Sequence, residues 1–292
     1  MENNLNIQQS VLAYGELLWD LLPTGKLLGG APANFAYRLQ NLGISVSLVS
    51  RVGEDALGNE AISILSKSGL STELIQRDKR NPTGTVDVQI DANGNAKFSI
   101  NPHVAYDEIE FCDEIADAAQ SCAILCFGSL IQRAEKSRQT LMRILKNAKN
   151  ACKIMDLNLR PNCYSKGVIE NSLEHIDILK LNHEEALILS EMLALPFSSE
   201  AAFCKALLDR YKLLSCVITR AENGVFGMNR DGEEADLPGI KVKVLDTIGS
   251  GDAFTAGFVA MFLKNAPFAK CCEFGNHVGA LVAGTKGGMT PI

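Results

Sequence analysis

Ser250 stands between Gly249 and Gly251, and Asp252 follows at once, where the chain passes from a polar turn into an apolar run of helical period through Ala253, Phe254, Gly257, Phe258, Met261 and Phe262. A helix that begins this way gathers unpaired backbone N–H groups at its N-terminus, and such groups bind anions. Asp252 in the first turn would set a carboxylate beside that anion. A carboxylate there repels a resting phosphate but is well placed to take the proton from a hydroxyl attacking one, so the pattern points to phosphoryl transfer. Four residues on their own admit a plainer reading, a helix start whose first-turn acid is favoured by the dipole.

Other polar residues gather where parallel strands are expected to end, which is where ligands bind in open sheets. Asp20, Gly29 and Gly30, Asn34, Gly128 and Ser129, Asp156, Asn158, Arg160, Asn182 and Thr219 all fall there. The elements that must hold them alternate. A strand at 11–14, a helix ending before Gly43, a strand at 45–52 and a helix at 56–68 predict a parallel α/β sheet. Residues 15–22 form a further extended segment that leaves this sheet and reverses at Pro23, Thr24 and Gly25. Three short strands at 72–76, 85–90 and 96–100 suggest a small antiparallel sheet, the last two joined through an Asn93-Gly94 turn. Strands near 123–127, 153–157, 178–181 and 215–219, with helices at 133–148, 183–193 and 199–211, resume a doubly wound core. Strands at 224–229 and 241–245 and two apolar helices, 251–264 and 268–285, complete it.

With 47% apolar residues in 292, the chain can bury a large core in one or two domains. A net charge of −6 without a long basic run argues against nucleic acid or an anionic membrane as partner. The first residues carry no basic segment, and the apolar run after them is broken at Glu16 and Asp20, so neither a leader nor a span is expected, and cytoplasmic residence follows. Nine cysteines without a Cys-x-x-Cys pair read as reduced, buried side chains, and the four histidines show no zinc-site spacing. Neither the glycine fingerprint of a dinucleotide enzyme nor that of a P-loop is present.

Gly29-Gly30-Ala-Pro-Ala-Asn34-Phe-Ala and Asp246-Thr-Ile-Gly-Ser-Gly-Asp252-Ala-Phe resemble the two signature regions of the ribokinase-like (PfkB) carbohydrate kinases. Blocks at 15–20, 51–58, 156–161 and 182–185 are similar to the intervening blocks of that family in the same order, and the first region looks most like fructokinases. The resemblance implies one kinase domain over 1–292: a doubly wound, mostly parallel αβα core from about 1–14, 29–71 and 107–292, and a small antiparallel β lid from about 15–28 and 72–106. It implies Asp252 as catalytic base and the backbone of Gly249, Ser250 and Gly251 as anion hole. Asp20, Gly30 and Asn34 match sugar ligands, with Arg160 facing either the sugar or phosphate charge.

On the nucleotide side the same resemblance implies Asn182 and Glu185, which are equally a capping box, then Thr219, Arg220, Gly224 and Asn276. Ala221 stands where relatives usually have glycine. ATP and magnesium are the implied cofactors, the magnesium held mainly by ATP phosphates and water. A monovalent cation such as potassium would sit at Asp246 and the Ile248 carbonyl, completed by the 284–289 loop. A short spacing from Asp20 to Gly29 implies a shortened lid hairpin, and lid strands would allow a homodimer. The expected reaction is transfer of the γ-phosphoryl group of ATP to fructose, giving fructose 6-phosphate. Ribose, 2-keto-3-deoxygluconate or a nucleoside stand as alternative acceptors, and a non-catalytic sugar sensor as the rival class.

Overall fold

The computed structural model describes residues 10–90 and 96–292. β1 (Val11–Tyr14) and β8 (Ile124–Phe127) are buried along their whole length, as strands covered on both faces must be. With β4 (Val46–Gly53), β5 (Ile75–Asp78), β9 (Cys152–Asp156), β10 (Ile178–Asn182) and β11 (Ser215–Thr219) they make seven parallel strands in the order β11-β10-β9-β8-β1-β4-β5. β12 (Val225–Asn229) and β13 (Glu234–Leu237) extend the β11 edge antiparallel.

Helices fill the crossovers: α1 (Ala31–Asn41), α2 (Ala56–Lys67), α3 (Asp113–Ser121), α4 (Glu135–Asn147), α5 (Lys166–Leu173), α6 (His183–Leu193) and α7 (Glu200–Tyr211). α8 (Ser250–Phe262) and α9 (Phe268–Ala283) pack against each other so closely that a Cβ on Gly257 would lie 3.0 Å from the Gly275 Cα. One large hydrophobic cluster lies on each face of the sheet, so the doubly wound architecture expected from the alternation is the one present.

A second sheet has four strands in the order β3-β2-β6-β7, from β2 (Leu18–Leu22), β3 (Gly25–Gly29), β6 (Gly84–Ile90) and β7 (Ala96–Ile100). It consists of two antiparallel hairpins joined by parallel pairing of β2 with β6. The reversal at 23–25 is the short β2–β3 hairpin that the Asp20-to-Gly29 spacing implies. The turn expected at Asn93-Gly94 lies outside the described residues.

Two expectations need correcting. The strand predicted at 72–76 is β5, which starts later and pairs with β4 at the edge of the large sheet, so it is not part of the small one. Arg51 on β4 and Asp78 at the end of β5 form an ion pair at 2.8 Å that seals this edge. The strand predicted at 241–245 is absent. Its place beside β12 is taken by β13, which the turn at Gly232 brings back in register, and Val244 and Leu245 stay about 60% exposed. The alternation of lysine with valine at 241–244 has the strand period, but no backbone pairing with a neighbouring strand forms there. All nine cysteines are unpaired; six are buried, and Cys112, Cys152 and Cys163 are half-buried rather than buried as expected. No helix among the described residues is long and apolar enough to cross a membrane.

Candidate active site

The N-terminus of α8 is open. Gly249, its N-cap, adopts φ 77°, and no side chain caps the helix. The Ser250 amide donates to the Thr247 carbonyl at 3.2 Å and the Ala253 amide to the Gly249 carbonyl at 2.8 Å. The amides of Gly249, Gly251 and Asp252 take no partner among the described residues, so Gly249 and Gly251 keep the free donors expected of them and Asp252 adds a third. The Ser250 hydroxyl turns away and donates to the Gly279 carbonyl of α9 at 2.8 Å.

Asp252 is buried, and its Oδ2 accepts a 2.8 Å hydrogen bond from the Asn34 amide. Burial pushes its carboxyl up to about 6, and the Asp156 carboxylate adds to this, while Asn34, Lys180 and Arg160 work the other way. Asn34, expected to touch the acceptor, is thereby first a partner of Asp252; its Oδ1 is buried and unpartnered. Asp20 lies half-buried on β2, and burial raises its carboxyl to about 6 against the pull of Arg160. Arg160 itself is exposed and lowers Glu16, Asp20 and Asp252 together. Gly30 has φ 107°, and a Cβ there would lie 2.4 Å from the Glu16 carbonyl oxygen.

Beneath the start of α8 lies a charged cluster, of which the sequence pointed to Asp156 but not to Lys180 or Thr255. Lys180 and Asp156 are each 7% exposed, and the Lys180 ammonium bonds both Asp156 oxygens at 3.0 Å. The Thr255 hydroxyl, one turn into α8, donates to Asp156 at 2.8 Å. A Cβ on Gly251 would meet the Lys180 Nζ at 3.0 Å, so this cation sits directly against the free amides. Burial opposes its charge, but Asp156, Glu185 and Asp252 outweigh that and raise its pKa. A lysine inside the apolar run Ile178-Leu-Lys-Leu-Asn was the available signal, since a buried ammonium must be paired.

On the other side, Asn182 and Thr219 are neighbours at the ends of β10 and β11. Asn182 and Glu185 form a complete capping box: the Asn182 Oδ1 accepts from the Glu185 amide and the Glu185 Oε2 from the Asn182 amide. The other Glu185 oxygen accepts from the Leu159 amide at 2.7 Å, so this carboxylate ties the β9 loop to α6. Arg220 is engaged by Glu200, Asp236 and the Val225 carbonyl, which makes it a brace between α7 and the β12–β13 hairpin. Asn276 holds the Pro238 carbonyl at 2.9 Å. A Cβ at Gly224 would lie 2.1 Å from the Leu237 carbonyl, and Ala221 adopts φ 48°, the conformation that explains a preference for glycine at that position. Asp246 joins two loops, accepting from the Ile248 amide and the Gly287 amide, each at 3.0 Å.

The model of the pfkB family carbohydrate kinases matches residues 6–292. The chain belongs to this family. An uncharacterized sugar kinase of Pyrococcus horikoshii is 31% identical over 95% of this chain and 91% of its own length. A fructokinase of Vibrio alginolyticus is 28% identical over 97% of this chain and 95% of its own. Among solved structures, a fructokinase with bound ATP from Xylella fastidiosa superposes with a TM-score of 0.86 at 25% identity, covering 98% of this chain and 95% of that one.

As a carbohydrate kinase, the protein is a phosphotransferase with an alcohol acceptor. A small cavity lined by Ala31, Pro32, Asp156, Asp252 and Thr255 lies where α1 meets α8. Gly249 is the residue this kinase can least replace at the helix start: a Cβ there would lie 2.4 Å from the Gly288 Cα, at a φ that side chains avoid. Gly249→Ala is therefore expected to cost about 1–3 kcal/mol of stability and to misalign the free amides. Denaturant unfolding together with kcat would register both losses; an unchanged enzyme would remove the close packing from the account.

Proposed function

We propose that this sugar kinase phosphorylates D-fructose at its terminal primary hydroxyl, using ATP. The observation that carries the reading is Asp252, a buried carboxylate held by Asn34 at the open N-terminus of α8 beside free amides. Asp252 takes the proton of the attacking hydroxyl, while the Gly251 and Asp252 amides and the Lys180 ammonium behind them stabilise the charge on the transferring group. Asp20, Gly30 and Asn34 orient the sugar. The names of the relatives favour fructose. Arg160, exposed and facing three carboxylates, keeps a sugar acid such as 2-keto-3-deoxygluconate as the second reading, because a guanidinium suits a carboxylate.

Asn182, Thr219, Gly224 and Asn276 line the side assigned to the nucleotide, with Glu185 and Arg220 shaping it through the contacts described above. The free amides and the buried ammonium suit polyphosphate, and magnesium carried on the ATP phosphates supplies further charge neutralisation when bound. Asp246 and the Ile248 carbonyl are the groups that would hold a monovalent cation. The four-stranded sheet acts as a lid that excludes water from the acceptor.

A panel of fructose, ribose, 2-keto-3-deoxygluconate and a nucleoside, scored by ADP release with and without potassium, tests the reading. Fructose should give the highest kcat/KM; preference for the sugar acid would replace it with the second reading. The base must be ionised to act, so kcat should fall as the pH drops through about 6. A flat profile from pH 5 to 8 would count against Asp252. Stability runs the opposite way. Glu16 and Asp252 have folded pKa values raised to about 7 and about 6, so the stability they contribute is complete below ~4 and lost as the pH rises through those values.

A further inference from the structure

α1 begins without a capping side chain. Its N-cap is Gly30, whose φ of 107° and contact with the Glu16 backbone leave no room for serine or aspartate, the usual caps. The first helical amide nevertheless has an acceptor: the Ala31 N–H donates to the Glu16 Oε1 at 3.2 Å, from fifteen residues upstream. Glu16 is 4% exposed, at the point where the chain leaves β1 for the small sheet. The two segments interlock on both sides of this bond. A Cβ on Gly30 would meet the Glu16 carbonyl oxygen at 2.4 Å, and one on Gly15 would meet the Pro32 Cγ at 2.4 Å.

One turn further along α1, Asn34 holds Asp252. Any rotation or slide of the first turn would carry that amide away from the carboxylate, since the turn itself is rigid once hydrogen-bonded. Glu16 therefore stands at the far end of a short mechanical chain: carboxyl to helix amide, helix to Asn34, Asn34 to Asp252. Its second oxygen is buried with no partner among the described residues, a costly arrangement for a carboxyl that accepts from the Ala31 amide. Arg160, Asp252 and Tyr106 are the ionisable groups that face it.

We propose that Glu16 is a positioning residue for phosphoryl transfer, which fixes the first turn of α1 so that Asn34 presents its amide to Asp252. The proposal rests on Asp252 as the base. Glu16 touches no reacting atom in this scheme, so its effect must pass through Asn34, and that makes it separable from a general structural role.

A double-mutant cycle in kcat, at saturating ATP and sugar, tests this. Glu16→Met fills the same space without an acceptor and should lower kcat about 10–100-fold, in line with the cost of small misplacements, with KM for ATP unchanged. Glu16→Gln, whose amide oxygen can still accept from Ala31, should stay within about threefold of the parent. In an Asn34→Ala background, Glu16→Met should cost less than about threefold more, because the link it serves is gone. Full additivity in that background, a Gln variant as poor as the Met variant, or a Met variant with parental kcat would each overturn the proposal. Glu16→Ala carries the same expectations should the Met variant not fold, with circular dichroism as the check. Asp252→Asn measured alongside separates the two levels: if it retains turnover, the base assignment itself is wrong, and if it is inactive while the cycle is additive, only the role of Glu16 falls.

Discussion

Asp252→Asn is expected to lower kcat by about 10²–10⁴-fold, the range for losing a general base, while KM for ATP and binding of the sugar persist. The substitution keeps the shape of the side chain and an oxygen that can accept from Asn34, so it removes the ionisable group and little else. It should not reduce the thermal midpoint at pH 8. A carboxyl whose pKa is raised by burial carries its charge at a cost in the folded state, and the amide removes that cost. Measuring turnover by coupled ADP release beside a thermal melt therefore distinguishes lost chemistry from lost fold. A variant that turns over at the parental rate would eliminate Asp252 as base; one that melts far lower would place it in the scaffold instead.

Lys180→Met should be the most damaging single change to stability. It strips Asp156 of its cation and leaves that carboxylate buried with the Thr255 hydroxyl as its remaining side-chain donor. Breaking a buried pair from one side typically costs ~3–5 kcal/mol, which for a chain of this size corresponds to a fall of roughly 5–8 °C in Tm. Activity should fall as well, because the ammonium lies against Gly251 in the proposed anion hole. The double variant Lys180→Met with Asp156→Leu separates the two roles: an apolar replacement of the whole pair should recover most of the stability and none of the activity. Recovery of both would show that the cluster is scaffold alone, and a single variant with an unchanged melt would contradict the burial argument.

Much of this molecule is written locally. The apolar runs of β1 and β8, the helical period after Gly251, and the Pro23-Thr-Gly25 reversal each depend on a few adjacent residues, and each element formed where its pattern lies. The strand expected at 241–245 shows the limit of period: its alternation is clear, but a strand also needs a partner, and β12 pairs with β13 instead. The same holds for β5, whose local pattern allowed either sheet until its pairing with β4 assigned it to the large one. Arg220, placed on the nucleotide side by resemblance, is also paired with Glu200 and Asp236, contacts that adjacent residues do not reveal.

At the start of α8, the open helix N-terminus, the acid in its first turn and the sugar-kinase family to which they belong are legible in adjacent residues, because glycine conformations and helix ends are short-range properties. Which amides remain free, that Asn34 reaches across 218 positions to hold Asp252, and that Lys180, Asp156 and Glu16 stand behind them all depend on long-range packing. Those contacts exist because α1, β9, β10 and α8 converge at one end of a parallel sheet, and hydrogen bonds between distant segments depend on that convergence rather than on the residues beside each partner.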